Sequence, residues 1–279
     1  MSGRLSLVAT PIGCLEDITL RALRVLGEAT LILAEDTRHT RILCAKHQID
    51  TPLRSFHAHT SSDKIDRLIM ELLAGAHYAL VSDAGTPVVS DPGAYLVSRA
   101  AAVGITIEAI PGPSAVLAAL CVSGLSVDRF AFEGFLPRSG KERASALERM
   151  AESDCVVVLF ESPHRIRATL EELGRHLGSD RKIALCRELT KVHEQIMRGT
   201  ITQVQGELPD PVKGEITVVV EGQRPDRRVE DIDLDTLVAE WQKEGLTTKE
   251  MSHRLKQEFG WKRNAAYQAV LDVLGRDEP

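Results

Sequence analysis

The sequence predicts an α/β protein with two α/β lobes, a cleft between them and a small helical module at the C-terminus. In the first half of the chain, short apolar runs alternate with amphipathic stretches, which is typical of a βαβα series with a mainly parallel sheet. In the second half, the last strand-like runs are joined by short turns, which favours antiparallel pairs in a mixed sheet. Hydrophobic residues make up 43% of the 279 residues and aromatic residues only 4%, so we expect a core of Val, Leu, Ile and Ala.

The first lobe is predicted to span residues 1–117. Strands are expected at 4–10, 30–36, 76–83 and 105–112 because each is a short apolar run closed by Gly, Pro or Asp. Amphipathic helices are expected at 18–26, 37–46, 63–74 and 94–103. A further helix over 113–123 then leads away from this lobe.

The second lobe is predicted to span residues 118–224 and to hold five strands, at 129–136, 155–162, 182–189, 199–204 and 214–222. The polar stretch 222–235 resembles a linker. From residue 237 onward, three short helical patterns predict a helix-turn-helix-like module within 225–279. Thr247 or Thr248 is the expected N-cap of its second helix, and Gly245 and Gly260 are expected helix ends.

Composition and motif content exclude several classes of protein. The net charge of −6 argues against a surface that binds nucleic acid everywhere, and the five scattered cysteines indicate free thiols in a reducing compartment. No signal peptide, membrane span or metal-ligand cluster is apparent, so we expect a cytoplasmic protein without a metal. A GxGxxG motif is absent, and residues 134–142 approach a Walker loop with the wrong spacing and Glu142 in place of Ser or Thr.

Four loops rich in Gly, Pro and Asp follow the four predicted strands of the first lobe. They are ATPIG (9–13), AEDTRHTR (34–41), SDAGTP (82–87) and IPGPSA (110–115). Any one of them could be an ordinary tight turn. In a parallel sheet, however, all four lie along one edge, which is where ligands bind. The sequence therefore predicts a ligand site there, and the acidic 82–93 loop without Lys or Arg favours a cation over a phosphate.

Motifs spread over residues 4–222 resemble a known family. They are VATPIGCLEDIT (8–19), AEDTRHT (34–40), SDAGTPVVSDPG (82–93), PGPSA (111–115), EGFLP (133–137), FESPHR (160–165), RELTKVHEQIMRG (187–199) and KGE (213–215). Together and in this order, they are similar to the ribosomal RNA 2′-O-methyltransferases of the tetrapyrrole methylase superfamily, whose fold is class III among S-adenosylmethionine methyltransferases. Cys14 stands where that family is expected to have Asn.

The resemblance implies a homodimer that binds S-adenosylmethionine between its two lobes and methylates a cytidine ribose of 16S ribosomal RNA, either free or in the small subunit. It also implies the residues that bind the cofactor. In the first lobe they are Pro11, Ser82, Asp83, Ala84, Gly85, Thr86, Ser114 and Ala115, and in the second lobe they are Phe160, Glu161, Leu189 and Gly214.

Methyl transfer to a ribose hydroxyl requires alignment and a proton acceptor. The polar candidates for catalysis are Lys191, Glu188, Glu35 and Arg38. Lys191 could be the base if burial lowers its pKa, or it could contact phosphate or a second subunit. Glu35 and Asp36 could instead cap the following helix. The sequence does not decide between these alternatives.

RNA contacts are expected from Arg38 and Arg165 beside the cleft and from Lys262 and Arg263 in the C-terminal module. Between Lys243 and Arg263, six Lys and Arg face three Glu, which reverses the sign of the chain's net charge locally. A solvated charged helix would show the same pattern. The alternative function is methylation of a tetrapyrrole by the same fold, and a ligand-sensing nucleic-acid-binding regulator is a third hypothesis.

Overall fold

A parallel five-stranded sheet forms the first lobe in the computed structural model, which describes residues 3–223, 233–259, 261 and 263–275. The strand order is β3-β2-β4-β1-β5, and every neighbouring pair is parallel. All of the C-terminal strand ends therefore lie on one edge of the sheet, as the βαβα pattern predicts. The strands are β1 (Arg4–Val8), β2 (Leu31–Ala34), β3 (Leu53–Ser55), β4 (His77–Val81) and β5 (Thr106–Ile110).

Helices cover both faces of this sheet and bury two apolar clusters against it. Two of them begin at side-chain caps: the Thr19 hydroxyl accepts from the backbone N–H of Ala22, and the Asp36 carboxylate accepts from that of Arg38. Asp36 is thus an N-cap, one of the two alternatives that the sequence left open. The helices are α1 (Leu20–Glu28), α2 (Thr37–Lys46), α3 (Ser62–Leu73) and α4 (Ala94–Ala102).

The second lobe contains a mixed five-stranded sheet in the order β6-β7-β10-β8-β9. Only β6 and β7 pair in parallel, and the other three pairs are antiparallel. The central strand β10 is buried at every position, which explains its continuous apolar run ITVVV. The strands are β6 (Phe130–Phe135), β7 (Val156–Glu161), β8 (Lys182–Arg187), β9 (Gln195–Thr200) and β10 (Ile216–Val220).

Four helices pack on this second sheet. They are α5 (Ala115–Val122), α6 (Gly140–Glu152), α7 (Ile166–Leu177) and α8 (Ile201–Glu207). Helix α5 follows the first sheet in the chain but packs against β7 and β10 of the second, and its Val116, Ala119 and Leu120 join a cluster that also contains Ile12. The two lobes therefore share apolar packing beside the cleft.

The predicted strand over 199–204 is wrong beyond Thr200. Strand β9 occupies Gln195–Thr200, and helix α8 begins at the next residue. Thr200 and Gln203 form a capping box: the Thr200 hydroxyl accepts from the Gln203 N–H, and the Gln203 side chain accepts from the Thr200 N–H. The capping signature in TITQ therefore outweighs the strand-like composition. The short strand β3 is missing from the prediction because three residues carry too little periodicity.

The chain divides into two compact units, Met1–Gly222 and Gln223–Pro279. The second unit contains α9 (Leu234–Lys243), α10 (Thr248–Phe259) and α11 (Arg263–Leu274), which agrees with the three predicted helices. Thr247 precedes α10 and shares a capping box with Glu250. The core of this unit includes Val238, Trp241 and Leu255. The finer predicted domain boundaries at residues 117 and 224 stay predictions.

Within the described residues, no helix has the length and apolar character needed to cross a membrane.

Candidate active site

The loops that follow β1, β4 and β5 meet at the C-terminal edge of the first sheet. The backbones of Thr10 and Gly85 exchange two hydrogen bonds, of 2.9 and 3.0 Å, which join the first loop to the third. Gly85 has φ of 78°, a left-handed conformation that glycine adopts without strain. The Thr86 hydroxyl donates to the carbonyl of Pro113 and so joins the fourth loop to the same group.

A cavity of about 370 Å³ lies between these loops and the second sheet. This volume falls within the range of small-molecule sites, roughly 300–1,000 Å³. The first lobe contributes backbone and small side chains, and the second contributes Phe160, Glu161 and the loop before β10. The predicted cofactor residues in its lining are Ala84, Gly85, Thr86, Ser114, Ala115, Phe160, Glu161, Leu189 and Gly214.

This first cavity carries negative charge and apolar surface. Its described lining contains Asp91, Glu161 and Glu215 but no Lys, Arg or His. One wall is aromatic, because the rings of Phe135 and Phe160 lie 5.6 Å apart between centroids. Such a lining suits a ligand with a cationic centre and a flat apolar group, and it disfavours a phosphate.

Glu161 is held in place by a buried network in the second lobe. One carboxylate oxygen accepts from the Thr169 hydroxyl at 2.7 Å, and the other accepts from the backbone N–H of Ser162 at 2.8 Å. Thr169 accepts in turn from the buried guanidinium of Arg143, which pairs with Glu172 at 2.5 Å. The orientation of Glu161 in the cavity wall is therefore fixed from behind.

A second cavity of about 260 Å³ adjoins the first, and the two share Ile12, Ala84 and Glu215 as a common wall. Three predicted cofactor residues line this second cavity and not the first, namely Pro11, Ser82 and Asp83. Unlike the first cavity, the second has a cationic group in its lining, the Lys191 ammonium, and it also contains the imidazole of His39.

Lys191 has two carboxylate partners, which argues against the base expected from sequence. Its ammonium donates to Glu188 at 2.9 Å and to Glu215 at 2.8 Å. Burial lowers the pKa of Lys191, but the two carboxylates outweigh burial and raise this pKa above its ordinary value. The condition under which Lys191 could be the base, a lowered pKa, is therefore not met, and the side chain stays a cation at neutral pH.

Glu188 belongs to the same ion-paired group. Burial raises its pKa, but the backbone N–H of Glu215 and the ammonium of Lys191 bring the net value below the ordinary one. A carboxylate with a lowered pKa is a weak base, so the geometry favours a structural part for Glu188. Its backbone has φ of 54°, and its carboxyl group fills the space where a Cβ on Gly214 would lie, 2.5 Å away.

The loop after β2 places its candidates outside both cavity linings. Glu35 has a raised pKa because it is partly buried and faces Asp83. The Arg38 guanidinium is 85% exposed and pairs with the capping carboxylate of Asp36 at 2.5 Å. The backbone N–H of Asp36 donates to Asp83 at 2.9 Å, so this loop supports the position of Asp83.

Arg165 contacts its own chain. Its guanidinium donates to the carbonyls of Leu136 and Pro137 and pairs with Glu161 at 3.3 Å. These bonds hold Leu136 and Pro137, which follow β6, beside the site. The guanidinium that was predicted to bind RNA is therefore bound within its own chain. Lys262 lies outside the described residues, and Arg263 begins α11.

Asp91 and Glu215 are two charged cavity residues that the sequence prediction does not include. Asp91 lies at the end of the 82–93 loop, lines the first cavity and is half-buried. Burial, together with the charges of Glu35 and Asp83, raises its pKa to about 6 against the opposing effect of a hydrogen bond from Ser82. A signal for Asp91 was present in the sequence, since the loop contains Asp-Pro-Gly as a second turn signal after Asp-Ala-Gly-Thr-Pro.

The backbone around Asp91 is strained. Val88 and Ser90 have φ of 76° and 64°, in the left-handed region that non-glycine residues rarely adopt. A Cβ on Gly134 would lie 3.0 Å from the Ser90 hydroxyl, so the second lobe approaches this loop closely and leaves little room for a side chain at position 134. Strain of this kind persists only where the surroundings enforce it, and it is concentrated at functional sites.

Comparison with known proteins agrees with this architecture. The sequence profile of the family Tetrapyrrole (Corrin/Porphyrin) Methylases matches residues 4–205. The uroporphyrin-III C-methyl transferase of Thermus thermophilus complexed with S-adenyl homocysteine has a similar fold, with a TM-score of 0.58 at 21% identity over 78% of this chain and 97% of that one.

Full-length relatives are closer in sequence. Ribosomal RNA small subunit methyltransferase I of Haemophilus influenzae is 42% identical, and the enzyme of that name from Pasteurella multocida is 40% identical. Each alignment covers 98% of this chain and 98% of the relative. The chain therefore belongs to the ribosomal RNA small subunit methyltransferase I family, within the tetrapyrrole methylases.

Proposed function

We propose that this protein transfers a methyl group from S-adenosylmethionine to the 2′-oxygen of a cytidine ribose in 16S ribosomal RNA. The observation that carries the proposal is the 40–42% identity, over 98% of the chain, to relatives named ribosomal RNA small subunit methyltransferase I. The choice of the 2′-oxygen and of cytidine follows the motif resemblance, and the cavities supply the physical support.

The first cavity fits the cofactor. When bound, S-adenosylmethionine supplies a methyl group on a positively charged sulfur, and the described lining has carboxylates and no cation. Phe160, Leu189 and Gly214 would flank the adenine. The backbones of Gly85 and Ala115 can approach the methionine part closely, because their side chains are small or absent.

The second cavity suits the RNA strand. A phosphodiester requires a nearby cation, and the second cavity offers Lys191 where the first offers none. The target ribose would then lie where the two cavities meet, at the common wall of Ile12, Ala84 and Glu215. Bound there, the hydroxyl is oriented before reaction, which supplies much of the rate.

The C-terminal unit would add affinity for RNA. Its described surface carries exposed Lys249, His253 and Lys256 on α10, and the predicted contacts Lys262 and Arg263 follow in the chain. We also propose a cytoplasmic homodimer, as the motif resemblance implies. Val192, which follows the RELTK segment and is 97% exposed, is one apolar side chain that a second subunit could cover.

The test is transfer of labelled methyl groups to small ribosomal subunits from cells that lack this protein. We expect label on one ribose, detected as an internucleotide linkage that resists alkali because its 2′-oxygen is blocked. Asp83→Ala should abolish transfer, whereas Asp50→Ala, an exposed aspartate before β3 at the opposite sheet edge, should not. A chain ending at Gln223 should still bind the cofactor, but it should methylate RNA more weakly.

Tetrapyrrole methylation is the competing outcome. Assays with uroporphyrinogen under the same conditions separate the two substrates. Label on the tetrapyrrole and none on subunits or free 16S RNA would overturn the RNA proposal.

A further inference from the structure

Four carboxylates line the two cavities, and their surroundings differ. Glu161 accepts from Thr169 and Ser162, and Glu215 pairs with Lys191. Asp83, in the second cavity, accepts from the backbone N–H of Asp36 and lies 3.8 Å from the His39 ring. Each of these three carboxylates is therefore occupied by a cationic or backbone donor.

Asp91 is different because it faces other acids. The charged groups that act on it are Glu35, at the end of β2, and Asp83, at the end of β4. No described Lys, Arg or His pairs with it, and the nearby Ser82 hydroxyl offsets the effect of these acids only in part. A half-buried carboxylate in such surroundings holds a proton more readily than an ordinary aspartate, which raises its pKa to about 6.

Asp91 is also close to groups of the second cavity. It lines the first cavity, while its charged neighbour Asp83 and the nearby Ser82 line the second. The left-handed residues Val88 and Ser90 and the close approach of Gly134 to Ser90 define the path of the loop that carries it. The carboxylate therefore lies on the wall of the first cavity beside groups of the second, and a ribose bound between the cavities would be near it.

The other polar candidates are poorly suited to accept a proton. Lys191 is held protonated by two carboxylates, and Glu188 has a lowered pKa. Glu35 lies outside both cavity linings. Arginine does not lose its proton in proteins, which excludes Arg38.

We propose that Asp91 is the group that accepts the proton of the ribose 2′-hydroxyl; this inference rests on the proposed function. The 2′-oxygen forms its bond to the methyl carbon while the carbon–sulfur bond breaks and leaves its electron pair on sulfur. The hydroxyl proton passes to a carboxylate oxygen of Asp91 and leaves to solvent afterwards. A general base typically contributes ~10²–10⁴-fold to the rate.

The test compares Asp91→Asn and Asp91→Glu with wild type, with Asp50→Asn as the matched control. Single-turnover methyl transfer to small ribosomal subunits is measured as a function of pH. Binding of S-adenosylhomocysteine is measured by calorimetry. The titration of the aspartate carboxyl carbons is followed by ¹³C NMR in the free protein.

In wild type we expect the rate to rise with pH to a plateau, with a midpoint near the pKa of about 6. Asp91→Asn should lower the plateau by about 100-fold or more and remove this rise, and Asp91→Glu should retain part of the rate with a rise of its own. Affinity for S-adenosylhomocysteine should stay within about twofold, because its sulfur is uncharged and asparagine has nearly the same size and shape as aspartate. A carboxyl resonance that titrates near pH 6 should be absent from Asp91→Asn alone.

Three results would overturn the inference. The first is an Asp91→Asn rate close to wild type, and the second is a rate loss matched by an equal loss of affinity for S-adenosylhomocysteine. The third is a wild-type carboxyl titration that Asp91→Asn leaves unchanged. Wild type that methylates no ribosomal substrate would overturn the proposed function as well, whereas an active wild type with an active Asp91→Asn overturns the role of Asp91 alone.

Discussion

The two lobes build the cleft by different means. The first lobe offers backbone: small residues and tight turns at the edge of a parallel sheet, with Gly85, Val88 and Ser90 in left-handed conformations. The second lobe offers side chains fixed by long-range polar networks, such as Arg143–Thr169–Glu161. The cavity wall of the first lobe therefore depends on local chain geometry, whereas that of the second lobe depends on hydrogen bonds between distant segments.

The largest loss of stability is expected from Arg143→Met, which removes the central donor of the polar network in the second lobe. The Arg143 side chain is only 8% exposed, and its removal leaves Glu172 and the hydroxyl of Thr169 without their donor. Breaking a buried pair on one side typically lowers the free energy of unfolding by about 3–5 kcal/mol. Urea denaturation measures the loss.

Arg149→Met on the same helix is the control for Arg143→Met. It removes a guanidinium that is 58% exposed and pairs with Glu133, which should change the free energy of unfolding by about 0–1 kcal/mol. Equal losses in the two variants would contradict the importance of the buried network.

Two glycines separate the effect of backbone strain from the effect of a steric clash with a neighbouring side chain. Gly214 and Gly104 both have positive φ, of 89° and 75°, but only at Gly214 would a Cβ meet another group, the Glu188 carboxyl at 2.5 Å. Gly214→Ala should cost about 2–4 kcal/mol of stability from left-handed strain and overpacking combined. It should also weaken binding of S-adenosylhomocysteine, because Gly214 lines the first cavity.

Gly104→Ala should lower stability only through left-handed strain, by about 1–2 kcal/mol, and should leave the affinity for S-adenosylhomocysteine unchanged. Thermal unfolding and calorimetry provide the two measurements. If both alanines weakened the affinity to the same extent, the contact with Glu188 would be irrelevant to the site.

Asp91→Asn should stabilise the protein at about pH 8. The pKa of Asp91 rises from 3.8 to about 6 on folding, so the folded state binds more protons between these values and its stability falls as pH increases through them. Above pH 6 the ionised form therefore carries its full cost, about 1 kcal/mol after allowing for the screening of a half-exposed group.

The gain from Asp91→Asn should shrink as the pH falls toward 3.8, where the aspartate is protonated in both states. Urea denaturation at several pH values measures it, with Asp50→Asn as the control. A gain that did not depend on pH would assign the effect to packing instead of charge.

The smallest effect is expected from Arg38→Ala. This exposed arginine pairs with Asp36 outside both cavity linings, so binding of S-adenosylhomocysteine should not change. If Arg38 contacts a phosphate, the affinity for ribosomal RNA should fall and its dependence on salt should weaken by about one unit of slope. Filter binding over a salt series measures this, and an unchanged slope would remove Arg38 from the RNA contacts.

The sequence predicts the first lobe well because its signals are local. Gly, Pro and Asp after the apolar runs mark the strand ends, and parallel pairing then brings the loops together without further information. The pairing of Lys191 with Glu215 could not be predicted in this way. Glu215 lies 24 residues further along the chain, and its approach to Lys191 depends on the antiparallel pairing of β8 and β10.

Arg165 and Asp91 illustrate the same limit. A surface arginine after a strand is indistinguishable in sequence from one that binds the carbonyls of Leu136 and Pro137, 29 and 28 residues away. The raised pKa of Asp91 arises from burial and from Glu35 and Asp83, which adjoin it only in the folded lobe. Electrostatics of this kind depends on distances that a residue pattern does not contain.

The wall of Ile12, Ala84 and Glu215 belongs to both cavities, and this has a thermodynamic consequence. A ligand that shifts this wall from one side changes the shape available on the other. Because coupling free energies are reciprocal, any change that the cofactor makes in the affinity for RNA is matched by an equal change that RNA makes in the affinity for the cofactor. Release of the spent cofactor and release of the methylated strand are then linked events, because both depend on the same three side chains.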